Sequence, residues 1–357
     1  MKPQKILLTG GGTAGSVTPL LAVVQYVRER QWPVEFFFIG TAEGPERRLA
    51  QAANVQFHAI PSGKLRRYWS WQNLRDVPKI LQGFHAARQL IRQWRPDTIL
   101  TAGSFVSVPV VWAGRMAGCR IIVHQEDVRP GLANRLMAPM ANIVTISFER
   151  SARSFSSKKA RLTGNPVRPE ILQGSRTIGQ EFFGLESQTL TMLVLGGGTG
   201  SDFLNRLVGA TAYKLVREWQ IIHVTGVERD FPELHDPRYH RVDFLTWEMP
   251  HALAAADLIL SRAGLGAITE LSALGKPAVF VAMPGTHQEE NAQLIADTQA
   301  GRVISQDELT ANRFLALVDD LRRHPEERKH LGDNLFRLFR PDALAQLVSV
   351  VVGQPMV

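Results

Sequence analysis

The sequence is poor in several features that mark particular classes of protein. It has one cysteine, Cys119, in 357 residues, which excludes an internal disulfide and a metal site built from several cysteines. No apolar run approaches the ~18 residues of a membrane-spanning helix. The opening residues, MKPQKILLTGG, predict a strand and a glycine turn instead of a secretory signal. We therefore expect a cytoplasmic protein.

Acidic residues are scarce in the first part of the chain. Residues 1–161 hold 23 lysines and arginines against 9 acids, whereas the remaining residues hold 18 against 24, for an overall charge of +8. A basic half can face nucleic acid, anionic lipid or an anionic substrate, so charge alone identifies no partner. The length, with 45% apolar and 21% charged residues, fits a globular protein of two domains.

A pattern of strand, glycine loop and helix occurs twice. KILLT precedes GGGTAG and a helix predicted from Pro19, and a strand over 190–195 precedes GGGTG and a helix from Phe203. Each half continues with alternating strands and helices, including a strand predicted over 242–245. The pattern indicates an α/β protein of two Rossmann-like doubly wound domains with parallel sheets, facing a cleft.

The Asn-Pro turn in LTGNPVR, residues 162–168, predicts the hinge between the two domains. We place the first domain at 1–163 and the second at 164–342. The apolar segment 343–357 is expected to form a helix that packs back on the first domain.

The first glycine loop has the spacing GxGxxG at Gly10, Gly12 and Gly15. A dinucleotide site is disfavoured because the second strand ends in Gly40 and Thr41, where that site requires an acid for a ribose hydroxyl. The loop can instead hold phosphate oxygens at a helix N-terminus. A tight turn that only packs the helix on the strand is an equally open interpretation.

The segment from Asp257 to Ala292 predicts a ligand cradle. Two buried strands flank a helix that Gly264 and Gly266 open, where free amides can meet an anion and Glu270 lies one turn further along, within reach of a diol. The second strand leads into THQEEN, at the carboxyl edge where such sheets bind ligands. The alternative is an ordinary βαβ unit in which Glu270 is a solvated charge and HQEEN begins a helix.

Basic and aromatic residues alternate over residues 63–94. Arg66, Arg67, Trp69 and Trp71 suit the interface of an anionic membrane, where indole rings lie at headgroup level and cations meet phosphates. The same mixture suits single-stranded nucleic acid, and some of these aromatics are expected in a core. We take the four residues as a membrane-contacting surface.

Six segments, in this order, resemble the MurG-type transferases of glycosyltransferase family 28, which add N-acetylglucosamine (GlcNAc) to lipid I in peptidoglycan synthesis. The segments are TGGGTAGSVTPLLAV, GSFVSVPVVWAG, VHQEDVRPGLANRLMAP, LTGNPVR, LGGGTGSDFLN and the 257–292 cradle. The resemblance implies a GT-B fold, UDP-GlcNAc held mainly by the second domain, and lipid I reached from the cytoplasmic membrane face by the first. It implies no cofactor and no metal.

The resemblance also assigns roles to residues by position. Arg168 would meet the donor diphosphate, Glu270 the ribose, and Gln288 with Asn291 the donor sugar. The other contacts it implies are Leu245 and Met249 at the uracil, Leu265, Gly266, Ala267, Ile268 and Thr269 around the phosphates, Gly198 and Thr199 in the second glycine loop, and Thr13, Ala14 and Gly15 at the GlcNAc and acceptor phosphates.

Departures from the family pattern concern the acceptor side. The family histidine of the first loop is Ser16, a catalytic candidate by position whose hydroxyl has an unsuitable pKa for a general base. The family HEQN is HQED here, which makes Glu126 or Asp127 our hypothesis for the base, with Asp127 also a substrate contact. The alternative is that these acids cap the helix after RPG.

The sequence has no Asp-x-Asp motif and no His/Cys cluster, which favours metal-independent transfer. Attack from the face opposite UDP would invert the anomeric centre. A GT-B enzyme with another nucleotide sugar or acceptor remains an alternative, and a basic nucleic-acid-binding protein is disfavoured by the glycine loops and the acidic second half. The oligomeric state is open.

Overall fold

A computed structural model describes residues 3–12, 15–63, 71–198, 200–226 and 234–353, with the backbone alone for 71–77. The chain divides into two compact units. Unit 1 comprises Met1–Pro166 and Pro341–Val357, and unit 2 comprises Val167–Arg340.

Unit 1 is built on a parallel sheet with helices between its strands. Its strands are β1 (Gln4–Thr9), β2 (Val34–Gly40), β3 (Gln56–Ala59), β4 (Thr98–Thr101), β5 (Arg120–Gln125), β6 (Ile143–Ile146) and β7 (Ala160–Leu162). Its helices are α1 (Thr18–Glu29), α2 (Glu46–Ala52), α3 (Trp71–Trp94), α4 (Ser107–Met116) and α5 (Leu132–Met137), with a 3-10 turn at Glu149–Ser154. The strand order is β3-β2-β1-β4-β5-β6-β7, and every pair is parallel.

Unit 2 repeats this architecture with a six-stranded sheet. Its strands are β8 (Leu190–Leu195), β9 (Trp219–Val224), β10 (Tyr239–Val242), β11 (Leu258–Arg262), β12 (Ala278–Ala282) and β13 (Arg302–Ser305). Its helices are α6 (Arg176–Phe183), α7 (Asp202–Leu215), α8 (Met249–Ala255), α9 (Leu265–Leu274), α10 (Gln288–Asp297), α11 (Ala311–Arg323) and α12 (Pro325–Phe336), with a 3-10 turn at Pro169–Gln173. The all-parallel order is β10-β9-β8-β11-β12-β13.

The two sheets confirm the predicted pair of Rossmann-like doubly wound α/β domains. Each strand order reverses beside the strand that precedes a glycine loop, between β1 and β4 in one sheet and between β8 and β11 in the other. Open parallel sheets bind ligands at the carboxyl ends of the strands at such a reversal. Leu195 pairs with Ser261 in register, so the loop after β8 and the start of α9 share one sheet edge.

The C-terminal helix α13 (Ala343–Val352) belongs to unit 1. Its buried face, Leu347, Val348 and Val351, joins the core cluster that contains Val23 and Val27 of α1. The apolar period of this segment therefore reflects a helix packed on α1. No helix in the described ranges has the length and apolar character needed to cross a bilayer.

The strand predicted over 242–245 was wrong in position. The strand is β10, Tyr239–Val242, and the following residues form a loop in which Phe244 is exposed. Tyr239 fixes this edge strand because its hydroxyl lies 2.7 Å from Nδ1 of the buried His223. A polar contact with the neighbouring strand β9 therefore outweighs the apolar residues of the segment VDFL.

Candidate active site

The N-terminus of α9 is open to an anion. Gly264 precedes the helix without a side-chain cap, and the amides of Leu265, Gly266 and Ala267 contact no acceptor among the described residues. A Cβ on Gly264 or Gly266 would meet no protein atom, and the φ of Gly264 is an ordinary −75°. Packing and backbone strain therefore do not explain these glycines, which leave space for a ligand to approach the backbone. Ile268 and Thr269 are buried in the same turn.

Arg168 and Glu270 form an ion pair beside this helix. Nε and an Nη of Arg168 donate to the same Glu270 oxygen at 2.9 and 2.7 Å, and the two side chains are 42% and 19% exposed. Burial raises the pKa of Glu270, Arg168 acts in the opposite direction, and Glu170 adds a smaller increase. The residues predicted for diphosphate and ribose thus lie together, each holding a group that a ligand can replace.

A cavity of about 370 Å³ adjoins Arg168. Its lining residues are Arg168, Glu170, Ile171, Gln173, Thr246, Trp247, Pro250 and His251. Trp247 is exposed and its ring meets those of Phe182 and His251 edge-on. Of the residues predicted at the uracil, Leu245 is buried and Met249, at the start of α8, is partly exposed. A flat ring beside Arg168 has apolar and aromatic surfaces available to it here.

The second glycine loop is tightly folded. A Cβ on Gly200, whose φ is +75°, would collide with the carbonyl oxygen of Thr225, so this position requires glycine. Gly198 is exposed, while Thr199 lies outside the described residues. Ser201 ends the loop and caps α7 by accepting from the Leu204 amide. The loop is therefore fixed by its glycines and by this cap.

Arg262, at the end of β11, was not identified from the sequence. It is 6% exposed, and its guanidinium donates to Ser201 Oγ at 2.9 Å, to Gln306 Oε1 at 2.8 Å and to the carbonyl of Val281 at 3.3 Å. It forms no ion pair with a described carboxylate, and burial lowers its pKa. One buried cation thus joins the cap of α7 to the end of β12. The available signal was an arginine ending an otherwise apolar strand.

The HQEEN segment begins α10, as the structural alternative predicted. Gln288 is the first residue of the helix, and its Oε1 accepts from the Met283 amide at 3.1 Å. Asn291 is buried and donates to the Ala263 carbonyl at 3.1 Å. Both residues fix loops beside the start of α9. Their predicted contact with the donor sugar stays a prediction.

The first glycine loop is closed on itself. Ser16 is partly exposed and its hydroxyl donates to the Gly11 carbonyl at 3.3 Å, while Gly15 is exposed. Thr13 and Ala14 lie outside the described residues. A Cβ on Gly10 would lie 2.8 Å from the Ser16 carbonyl oxygen, so this glycine is required for packing. The loop follows β1, at the carboxyl edge of the first sheet.

Glu126 and Asp127 follow β5 at that same edge. Gln125 fixes their turn by donating to the Asp127 carbonyl and accepting from Asn134 Nδ2, both at 2.7 Å. Glu126 keeps some surface exposure, yet burial of its carboxyl raises its pKa well above the ordinary value, and the charge of Asp127 adds to the increase. Neither acid caps α5, because Gly131 precedes that helix without a side-chain cap.

His124 supports this segment as a neutral residue. It is fully buried, with Nδ1 2.9 Å from Thr145 Oγ1 and Nε2 2.9 Å from Asn165 Oδ1. Burial lowers its pKa to about 4. Both ring nitrogens are engaged, so His124 orients the end of β5 and does not supply the missing loop histidine.

Most of the predicted membrane surface falls in a gap between the described ranges. Arg66, Arg67 and Trp69 lie outside the described residues, and Trp71 begins α3 without a described side chain. On the described part of α3 and on α4, Leu81, Trp112 and Met116 are exposed large apolar residues. These three residues, one on α3 and two on α4, which we term the α3–α4 apolar residues, were not among the predicted contacts.

The described residues contain one group of side chains close enough to share a cation, Asp320, His324 and Glu327. Asp320 and His324 are exposed and 3.1 Å apart, and Glu327 pairs with Arg302. A polar contact between Asp320 and His324 and an ion pair between Glu327 and Arg302, at the α11–α12 junction, therefore account for the group.

Comparison with known proteins assigns the family. Residues 6–146 match the glycosyltransferase family 28 N-terminal domain, and residues 191–347 match its C-terminal domain. The chain belongs to glycosyltransferase family 28. It is 39% identical over 281 residues to the UDP-N-acetylglucosamine--N-acetylmuramyl-(pentapeptide) pyrophosphoryl-undecaprenol N-acetylglucosamine transferase of Clostridium kluyveri, a match that covers 78% of each chain.

Solved structures agree with a family 28 fold. The crystal structure of Acinetobacter baumannii MurG aligns with a TM-score of 0.75 at 23% identity, covering 99% of this chain and 100% of that one. A UDP-GlcNAc 2-epimerase from Neisseria meningitidis, bound to UDP-GlcNAc, aligns at 0.70 and 12% identity over 98% and 100%. The predicted MurG-type resemblance, GT-B fold and glycosyltransferase class are confirmed.

Proposed function

We propose that this family 28 enzyme transfers GlcNAc from UDP-GlcNAc to the 4-hydroxyl of the MurNAc residue of lipid I, with inversion and without a metal ion. The observation that carries the proposal is the juxtaposition of Arg168, Glu270 and the open N-terminus of α9. A relative at 39% identity carries the name of this activity. The alternative keeps the fold and uses another nucleotide sugar or acceptor.

Departure of UDP requires positive charge at the diphosphate. As the glycosidic bond breaks, negative charge grows on the β-phosphate, and amides at the start of α9 can donate to it without reorganisation. Arg168 supplies a full charge when it exchanges Glu270 for the phosphate. Glu270 then accepts a hydrogen bond from a ribose hydroxyl. Arg168 and Glu270 thus each exchange the other for a group of the nucleotide.

The acceptor hydroxyl needs a base as it attacks the face opposite UDP. We assign this role to Glu126, with Asp127 as its charged neighbour, because a carboxyl of raised pKa is a stronger base than an ordinary glutamate. Ser16 closes the adjacent glycine loop. Unit 1 thus supplies the acceptor contacts and unit 2 the donor contacts.

We further propose peripheral binding to an anionic membrane on its cytoplasmic face through the predicted surface of Arg66, Arg67, Trp69 and Trp71, together with the α3–α4 apolar residues. Arg115, exposed on α4, lies next in the chain to Met116. Apolar side chains that enter the headgroup region beside cations bind anionic lipid. No partner protein or nucleic acid is part of this proposal.

Replacing Leu81 and Met116 with serine is expected to weaken binding to phosphatidylglycerol vesicles about 100-fold or more, since each burial contributes about 1.5–3 kcal/mol. Vesicle co-sedimentation measures the effect. Tyr213→Ser, at an exposed aromatic of unit 2, is the matched control. Equal binding of the double variant and the control would contradict the assignment.

Two measurements test the function. Calorimetric titration with UDP-GlcNAc, UDP and other nucleotide sugars should give binding of UDP and UDP-GlcNAc, and turnover with a lipid I analogue should give a β-linked product. Binding of UDP-GlcNAc without transfer to lipid I would leave the donor assignment and reject the acceptor. Preference for another nucleotide sugar would support the alternative.

A further inference from the structure

Glu46 is a fully buried carboxylate with no part in the reaction described above. It is the first residue of α2 and is 0% exposed. Its Oε2 accepts from the Gly12 amide at 3.2 Å, and its Oε1 accepts from the Thr41 amide at 2.7 Å and from the Thr41 hydroxyl. No cation among the described residues pairs with it. All its partners are therefore donors from two loops.

Three glycines make room for this side chain. A Cβ on Gly11 or Gly44 would collide with the Glu46 carboxylate, and one on Gly40 would lie 2.6 Å from its Cγ. None of the three has a left-handed φ, so space, and not backbone conformation, is the reason for glycine. The loops meet here because Thr9 of β1 pairs with Ile39 of β2. The three glycines therefore provide the space that the Glu46 side chain occupies.

The burial of the Glu46 carboxylate is energetically costly, which indicates that this side chain has a specific role. Burying a carboxylate without a cation is costly, and charge-assisted hydrogen bonds from amides offset that cost. One of these bonds goes to Gly12, whose φ is +82° and whose outer side is open. A run of three glycines is otherwise free to take many conformations. Glu46 thus holds the last glycine of this run in place.

We propose that Glu46 is a positioning residue, which anchors the first glycine loop to the end of β2 through Gly12. This anchor sets the positions of Gly15 and Ser16 relative to the acceptor. The part that concerns the acceptor rests on the proposed function. The anchoring itself does not depend on it. Thr41 serves as the fixed end of the anchor, because it gives Glu46 both an amide and a hydroxyl donor.

Glu46→Gln separates the two ends of the anchor. The single amide oxygen is expected to stay with the two Thr41 donors, which leaves the amide NH₂ facing the Gly12 N–H. We expect kcat/KM for a lipid I analogue to fall about 10- to 100-fold, as for a displaced binding group. The affinity for UDP in unit 2 should stay within about twofold, since the hydrogen bond between Glu46 and Gly12 belongs to unit 1.

Amide hydrogen exchange gives a readout that does not need activity. In Glu46→Gln the Gly12 amide should exchange about tenfold faster or more, while the Thr41 amide stays protected. Glu43→Gln, at an exposed position of the same loop, is the matched control and should change neither. If Glu46→Gln does not fold, Glu46→Asp, which keeps the charge and shortens its reach, takes the same measurements.

The outcomes are distinguishable. Unchanged Gly12 exchange, or an acceptor kcat/KM within twofold of wild type, would overturn the proposal, and so would a parallel loss of UDP affinity, which indicates general destabilisation. Absence of lipid I transfer by the wild-type enzyme would reject the proposed function alone. The exchange measurement would then still decide the anchoring.

Discussion

Glu126→Gln should lower kcat for GlcNAc transfer by about two to four orders of magnitude, the usual contribution of a general base. The substitution keeps the shape of the side chain and removes its ability to accept a proton. UDP affinity should be unchanged, because the donor contacts belong to unit 2. Steady-state turnover at saturating UDP-GlcNAc measures the effect. Glu35→Gln is the control, because Glu35 lies at the amino end of β2 and pairs with Lys5.

The pH profile identifies the acid that acts. A base functions only when it is deprotonated, so the rate should rise with pH through the pKa of Glu126, which burial and Asp127 raise. Asp127→Asn removes the neighbouring charge and should therefore move this rise to lower pH while turnover near neutrality persists. In Glu126→Gln the rise should disappear.

The same two variants can reject the assignment. An inactive Asp127→Asn beside an active Glu126→Gln would make Asp127 the base. Full turnover in both would remove the whole HQED segment from the chemistry. Gln125 holds this turn through the main-chain carbonyl of Asp127 and through Asn134, and both conservative substitutions keep these contacts.

The sequence predicts the fold well where the signal is local. Apolar runs next to glycine loops predict β1, β8 and β11, because consecutive residues determine a buried parallel strand and the helix N-terminus that follows it. The position of β10 was missed because Tyr239 is held by His223, which comes from another strand. The local sequence pattern does not predict a side-chain contact between two strands.

The candidate site divides in the same way. The start of α9 and Glu270 could be predicted from one continuous segment, and Arg168 from a resemblance. The roles of Arg262 and Glu46 could not, since each depends on partners from separate loops and both lie at positions that a sequence pattern assigns to a strand end or a helix start. The role of a buried polar side chain depends on its hydrogen-bond partners in the tertiary structure.

Arg168→Ala should lower kcat by about 10²–10³, comparable to the loss of one oxyanion donor, or about 2.7–4 kcal/mol of transition-state stabilisation. The charge of Arg168 matters most when UDP departs, so kcat should fall more than the affinity for UDP-GlcNAc. Glu270, left buried without its cation, should also bind a proton more readily, because Arg168 opposes the rise in its pKa. Donor binding by the variant should therefore weaken toward acidic pH.

Arg176→Ala is a closely matched control for this prediction. Arg176 pairs with Asp257 in the same unit, and the exposures of the two side chains, 42% and 20%, nearly equal the 42% and 19% of Arg168 and Glu270. Loss of that ion pair should leave turnover unchanged, since Arg176 has no part in the proposed donor site. If the two variants have the same kcat and the same UDP affinity, Arg168 does not meet the leaving group. A fall in affinity with kcat unchanged would instead make it a ground-state contact.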